Sequence, residues 1–318
     1  MKKLLYTLSL TLLGCIFNPV FGQEEPILTQ YRTNMFLVNP AALAHNGVHE
    51  VRLNYRQQWQ KLNFSPRTAV LTYTGFIDSK NGLGISIMHD SWGNSMRNGV
   101  KLGYSYRLPL GYPGERGQNF LSLGLSVKML QYRMDLSNVH FVDPSDPAIS
   151  NNADQFLAGD VAFGLFYHNE NFYTGLSSPN LIQTNNYLPF NDQSGVLSRL
   201  QRYYFWVLGY KFDYGNVKIE PSIMMRKIAS TPYQMEGTVR FYLNEESLIL
   251  GLSYRTGWIG GLMLGINHKS MKFIYSADFM PLRNDPNRPF GPSHELTLGI
   301  DLGEFNTDWK RAYYVPRR

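Results

Sequence analysis

The chain is almost without cysteine: Cys15 is the only one in 318 residues. No disulfide framework can therefore hold the fold. Beyond the N-terminus no apolar run approaches the roughly 20 residues that a spanning helix needs. With a mean hydropathy of −0.27, a helical membrane protein is excluded. Metal-ligand spacing, a glycine-rich phosphate loop ahead of a helix and a nucleophile–base pair are all missing. The few Gly-x-Gly pairs lie in strand-like stretches, where they mark bends or tight packing. No repeat of about 20–50 residues and no low-complexity tract divides the chain. Charged residues make up only 17%, and the net charge of +6 is mild, which gives no case for nucleic acid.

What is present begins with a processing segment. Residues 1–22 read as a signal peptide. Lys2 and Lys3 form its positive start and Leu4 to Leu13 its apolar centre, and Val20-Phe21-Gly22 precedes a cut ahead of Gln23. Leu12-Leu13-Gly14-Cys15 also resembles a lipobox, but the apolar stretch runs on past Cys15 to Val20-Phe21. Cleavage before Gln23 leaves an exported chain with no cysteine and a net charge of +4.

From Glu50 onward the dominant period is two. Leu121, Leu123, Leu125, Val127 and Met129 share one face, while Ser122, Gly124, Ser126 and Lys128 share the other. The same alternation recurs from Asp160 to Tyr167, Leu248 to Arg255 and Glu295 to Leu302. A β-sandwich would alternate too, but the connections separate the two readings. Short links such as Asp78–Asn81, Asp213–Asn216 and Asn244–Ser247 take turns with a set holding the long loops 135–155, 179–201 and 281–290. Short turns on one side and longer loops on the other are the habit of transmembrane barrels. The expected fold is all-β: a transmembrane antiparallel barrel of about fourteen strands. Its even count puts both termini on the periplasmic side of the outer membrane. The aromatics Trp59, Trp92, Tyr104, Tyr132, Tyr173, Tyr203, Tyr204, Trp206 and Trp258 fall near strand ends, as interface belts would. The resulting division is 1–22 signal peptide, 23–48 N-terminal plug or docking segment, 49–305 barrel and 306–318 basic periplasmic tail.

Two constellations invite chemistry. Ser293-His294-Glu295 suggests a hydrolase, but adjacent strand residues point to opposite faces, so the three cannot converge. Asp135, Asp143, Asp146 and Asp154 with His140 suggest calcium, but their spacing is not that of an EF-hand. A solvated acidic loop accounts for them. No catalytic, metal or cofactor site is expected. Lys128, Asp160, Glu220, Arg255, Asp278 and Glu295 fall on the polar strand face. A lipid-facing Arg or Lys costs about 2–4 kcal/mol at mid-membrane, so these charges are expected to line the lumen as pairs of both signs. A lumen this wide is not filled by wall side chains alone. Pro26 to Ala44 has no strand alternation, and its Tyr31, Met35, Phe36 and Leu37 need burial. A plug folded into or across the periplasmic mouth answers both needs; a docking arm for a partner is the rival.

Short motifs in order carry a resemblance: Gln30-Tyr31 and Asn39-Pro40-Ala41, then Arg56 to Trp59, Gly82-Leu83-Gly84, Phe172-Tyr173 and Pro179-Asn180-Leu181, and finally Glu220-Pro221-Ser222 and Tyr254-Arg255. Together they resemble the PorP/SprF family, outer-membrane proteins of type IX secretion and gliding in Bacteroidota. Ala42 stands where that family usually has a tyrosine. The resemblance implies a non-enzymatic component that anchors or gates export. It further implies partners in the PorK/PorN-like periplasmic ring, a PorE-like lipoprotein and a secreted cargo. Gln30, Tyr31, Asn39, Pro40, Pro179, Asn180 and Leu181 are the residues it marks for plug or partner contacts. A porin-like solute channel is the alternative.

Overall fold

In the computed structural model the described residues are 28–43, 45–111, 119–135, 155–182, 185–187, 197–199, 201–228, 231–280 and 290–304. The expected signal peptide, the expected basic tail and nearly all of the acidic loop lie outside them. Fourteen strands form, the number expected from the alternation and the connections. The first seven are β1 (Val48–Gln57), β2 (Arg67–Phe76), β3 (Asn81–Trp92), β4 (Ser95–Leu110), β5 (Asn119–Met134), β6 (Gln155–His168) and β7 (Phe172–Ser178). β8 (Tyr203–Tyr210) continues past Lys211 as Phe212–Asp213. Then come β9 (Val217–Ile228), β10 (Gln234–Leu243), β11 (Leu248–Arg255), β12 (Ile259–His268), β13 (Met271–Phe279) and β14 (Ser293–Glu304). A small hairpin, Asn185–Tyr187 with Leu197–Arg199, sits in the connection before β8.

Each strand pairs antiparallel with its sequence neighbours, and β1 pairs with β14 as well as with β2. The sheet is therefore a closed barrel with no free edge, so backbone donors and acceptors of the wall are satisfied within it. One rim carries the short turns and the other the long loops.

The burial pattern is inverted relative to a protein in water, where leucines hide and arginines do not. On β5, Met129 is 61% exposed and Val127 53%, while Ser122 and Ser126 are buried. On β4, Val100 and Leu102 face out while Arg97 is 2% exposed. An apolar outside around a polar inside is the sidedness of a strand that meets lipid. Among the described residues no helix is long and apolar enough to cross a membrane.

Trp92, Tyr104, Tyr204, Trp206 and Trp258 lie on the outside. Trp59 is half-buried in the link after β1, with its ring 5.8 Å from that of Phe290, and the remaining three belt candidates lie inside. Tyr173 and Tyr203 are buried inside, and the Tyr132 ring lies 5.7 Å under the inward-facing Arg97 guanidinium. Their strand parity places them in the lumen, where the Tyr173 hydroxyl donates to Glu220 (3.1 Å).

Candidate functional site: the occupied lumen

Residues 28–43 lie inside the barrel. They make three short 3-10 turns, Tyr31–Thr33, Met35–Leu37 and Pro40–Ala42. Pro40 opens the last turn, where a missing N–H costs nothing, and the Asn39 side chain caps it by accepting from Ala41 N (2.9 Å). Such a segment cannot join the sheet, so its backbone and side chains bond to the inner wall instead. Leu28, Tyr31, Met35, Phe36, Ala41, Ala42 and Leu43 are all buried there.

The wall receives the segment in two chemically different halves. On the β1, β9–β11, β13 and β14 side the contact is ionic. Glu295 accepts from two successive amides, Thr29 N (2.8 Å) and Gln30 N (3.0 Å). The Thr29 hydroxyl donates to Asp278 (2.7 Å) and accepts from Arg56 (2.9 Å) and Arg255 (3.0 Å). Arg56 also pairs with Asp278 (2.6 Å) and Glu295 (3.0 Å), and Arg255 with Glu236 (2.6 Å). Arg32 pairs with Glu220 (2.6 Å) and stacks over Tyr173 (4.6 Å). These are charge-assisted bonds in a water-poor site, where each weighs more than at a surface. Tyr31 shows the low polarity of this environment: burial first, then nearby Glu236, pushes its hydroxyl pKa up to about 12.

On the β3–β7 side the contact is steric. Gly84, Gly103, Gly124, Gly164 and Gly175 all face the segment. Gly84 is directly opposite Gly103, and Gly124 opposite Gly164, so the glycines line up across strands. A Cβ at Gly103 would collide with the Phe36 ring, and one at Gly124 with the backbone of Pro40 and Ala41. The absent side chains leave a furrow in which the segment lies against bare sheet. Polar contacts fix its place: Asn39 Nδ2 donates to Leu165 O (3.0 Å), Ser177 Oγ to Val38 O (2.6 Å), and Lys101 Nζ to Phe36 O (2.9 Å) and Leu37 O (3.0 Å). Between the halves, Asn34 Nδ2 donates to Asn54 (2.9 Å) and Thr72 (3.0 Å).

Gln30, Tyr31, Asn39 and Pro40 are thus enclosed, and none faces solvent. Pro179, Asn180 and Leu181 sit elsewhere, at the base of the connection after β7. Asn180 is fully buried with a left-handed φ of 60° and donates to Gln201 O (2.8 Å). Leu181 N donates to Val161 O (3.0 Å) and Ile182 N to Asp160 (2.9 Å). Of the six charges assigned to the polar face, Asp160, Glu220, Arg255, Asp278 and Glu295 are buried inside, and Lys128 lies opposite Asp160 in the β5–β6 register. Arg32, Arg56 and Glu236 complete these pairs and were not singled out as charges. Alternation within β1, where Leu53 and Tyr55 face out, turns Arg56 inward, and within β10 the outward Met235 does the same for Glu236. Ser293 and Glu295 point inward, while His294 points outward and bonds the Tyr275 hydroxyl (2.6 Å).

A closed barrel with a lipid-compatible exterior and an occupied lumen defines an outer-membrane β-barrel protein. The family model described as type IX secretion system membrane protein PorP/SprF matches residues 20–300. The chain belongs to that family and to the outer membrane. No curated protein matches it. Among solved structures, a Pseudomonas aeruginosa FadL homologue is similar at 11% identity and a TM-score of 0.48, over 83% of this chain and 93% of its own. The CymD monoaromatic hydrocarbon channel is similar at 9% identity and 0.47, over 88% and 93%. The KdgM porin is similar at 9% identity and 0.39, over 80% and 99%. None of these three likenesses bears on what the chain does.

Proposed function

We propose that this protein is a closed outer-membrane component of type IX secretion and gliding. In this reading it anchors or gates export, and residues 28–43 are its plug. It performs no bond chemistry. Its short-turn rim meets the PorK/PorN-like ring and a PorE-like lipoprotein in the periplasm. The observation that carries the reading is the filled lumen. A passive solute channel needs a continuous water path, and here a segment held by hydrogen bonds to a buried ion cluster, by the Arg32–Glu220 pair and by a glycine furrow occupies that space.

The test is the secreted proteome of a deletion strain, with an envelope-leakage control. Loss of many secreted proteins is expected for a core component, and loss of one adhesin for a cargo-dedicated one. Bilayer recordings complete it: the whole protein should be silent and a 28–43 deletion should conduct. An unchanged secretome with slowed solute uptake, or open channels in the whole protein, would replace this reading with a porin-like one.

A further inference from the structure

Residues 28–43 carry one charged side chain, Arg32. Its partner Glu220 is set apart from the other carboxylates of the ionic half. Glu236 pairs with Arg255, and Asp278 and Glu295 pair with Arg56, so each of those three finds its cation on the wall. Glu220 takes its cation from the segment (2.6 Å). Any movement that draws Arg32 away therefore threatens to leave a buried carboxylate without a counter-charge.

The wall holds another arginine beside it. Arg240 on β10 stands directly opposite Glu220 on β9 in the antiparallel register. Both face inward, Arg240 at 3% exposure and Glu220 at 1%. Directly opposite side chains on one face have Cβ atoms about 4.5–5.5 Å apart, so the guanidinium reaches the carboxylate by side-chain rotation alone. It does not do so here. Nε and Nη2 of Arg240 are buried and make no hydrogen bond to a described residue. The Glu220 carboxylate is already taken: Oε1 accepts from Arg32 Nε (2.6 Å) and the Tyr173 hydroxyl (3.1 Å), and Oε2 from the Tyr242 hydroxyl (2.8 Å). Buried polar groups are normally paired, so idle donors on a buried cation call for a reason. Two wall tyrosines hold the carboxylate in place. One cation from the segment neutralises it, and a second stands opposite on the wall.

We propose that Arg240 is the reserve partner of Glu220 and takes the carboxylate over when Arg32 departs. The exchange keeps Glu220 charge-paired as the segment moves and so lowers the cost of opening. That use rests on the plug reading. The exchange itself is read in the folded barrel with neither secretion nor conductance, so open channels in the whole protein would end the plug reading without touching it.

The test begins with the structure of the Arg32→Ala protein in lipid, where the Arg240 guanidinium should lie within hydrogen-bonding distance of Glu220. Urea unfolding of a double-mutant cycle reads the energetics. Arg240→Met and Arg32→Ala should each shift the folding equilibrium by less than about tenfold, because one cation still serves Glu220 in either variant. The double variant strands the carboxylate and should lose at least roughly tenfold more than the product of the single losses, about 1.4 kcal/mol. Adding Glu220→Gln to the double should recover most of that excess. Should the double variant fail to fold, the triple variant and the Arg32→Ala structure still decide. Single losses that simply multiply, no recovery with Glu220→Gln, or an Arg240 that stays on ordered water away from Glu220 in the Arg32→Ala structure would overturn the proposal.

Discussion

Arg56 sits on the inner face of β1 with two carboxylates in reach and 3% of its side chain exposed. A buried ion cluster is weak grounds for stability by itself, because desolvation offsets most of the attraction. Breaking it is another matter, since the partners are then left charged and dry. Arg56→Ala strands Asp278 and Glu295 and also takes a donor from Thr29. It should lower unfolding stability in lipid by about 3–5 kcal/mol, read as a shifted urea midpoint. Adding Asp278→Asn and Glu295→Gln should recover much of that loss, because the stranded charges go with the arginine. If the triple variant is no more stable than Arg56→Ala, buried charge is not the source of the cost. This cluster was half legible in the sequence. Strand parity places Asp278 and Glu295 inside, but their shared partner depends on β14 closing against β1, which no local pattern states.

At the scale of elements, the strands were the legible part, because an apolar outside and a polar inside write a period of two into every one of them. The N-terminal segment was legible only as a need: Tyr31, Met35 and Phe36 required burial and had no strand to bury them. Its furrow was not legible at all. Gly84, Gly103, Gly124, Gly164 and Gly175 look like ordinary strand glycines until the register brings them side by side. The lower end of the segment has its own chemistry. His45 bonds Ala42 O through Nδ1 (3.0 Å), and its Nε2 meets Arg32 (3.1 Å). Burial first, then Arg32 and His168, holds its pKa well below the usual histidine value. A folded pKa depressed in this way means the neutral ring is the one the structure stabilises. Its contribution is complete above about pH 6.5, the ordinary value, and drains away as pH falls from there through the folded value. Proteolysis of the segment, or conductance, should therefore rise as pH is lowered from 8 to 5. His45→Gln cannot gain a proton and should flatten the profile. An equally steep profile in that variant would assign the pH response to another group.

At the scale of the whole molecule, the question is whether the segment is a fixed cork or a moving part. The geometry sets up a direct test, because the only cysteine, Cys15, lies ahead of every described residue. Asn34 and Thr72 touch through their side chains at 3.0 Å, one on the segment and one on the β2 wall. A cysteine at each position sets one thiol on the segment and one on the wall that touches it; the bond closes only where the two Cβ atoms come within about 3.5–4.5 Å, so a non-reducing gel verifies it first, and the compartment in which the barrel assembles is oxidising. Asn34→Cys with Thr72→Cys would tie the segment down without altering the outer surface, either rim or the ionic cluster. A protein that only anchors its partners gains stability from the bond and loses nothing else. A protein that gates must withdraw the segment in each cycle, so the bond should stop secretion while partner binding and barrel assembly continue. Reductant should restore it, and each single cysteine should secrete normally. Full secretion by the verified disulfide form would remove gating and leave anchoring as the role of this barrel.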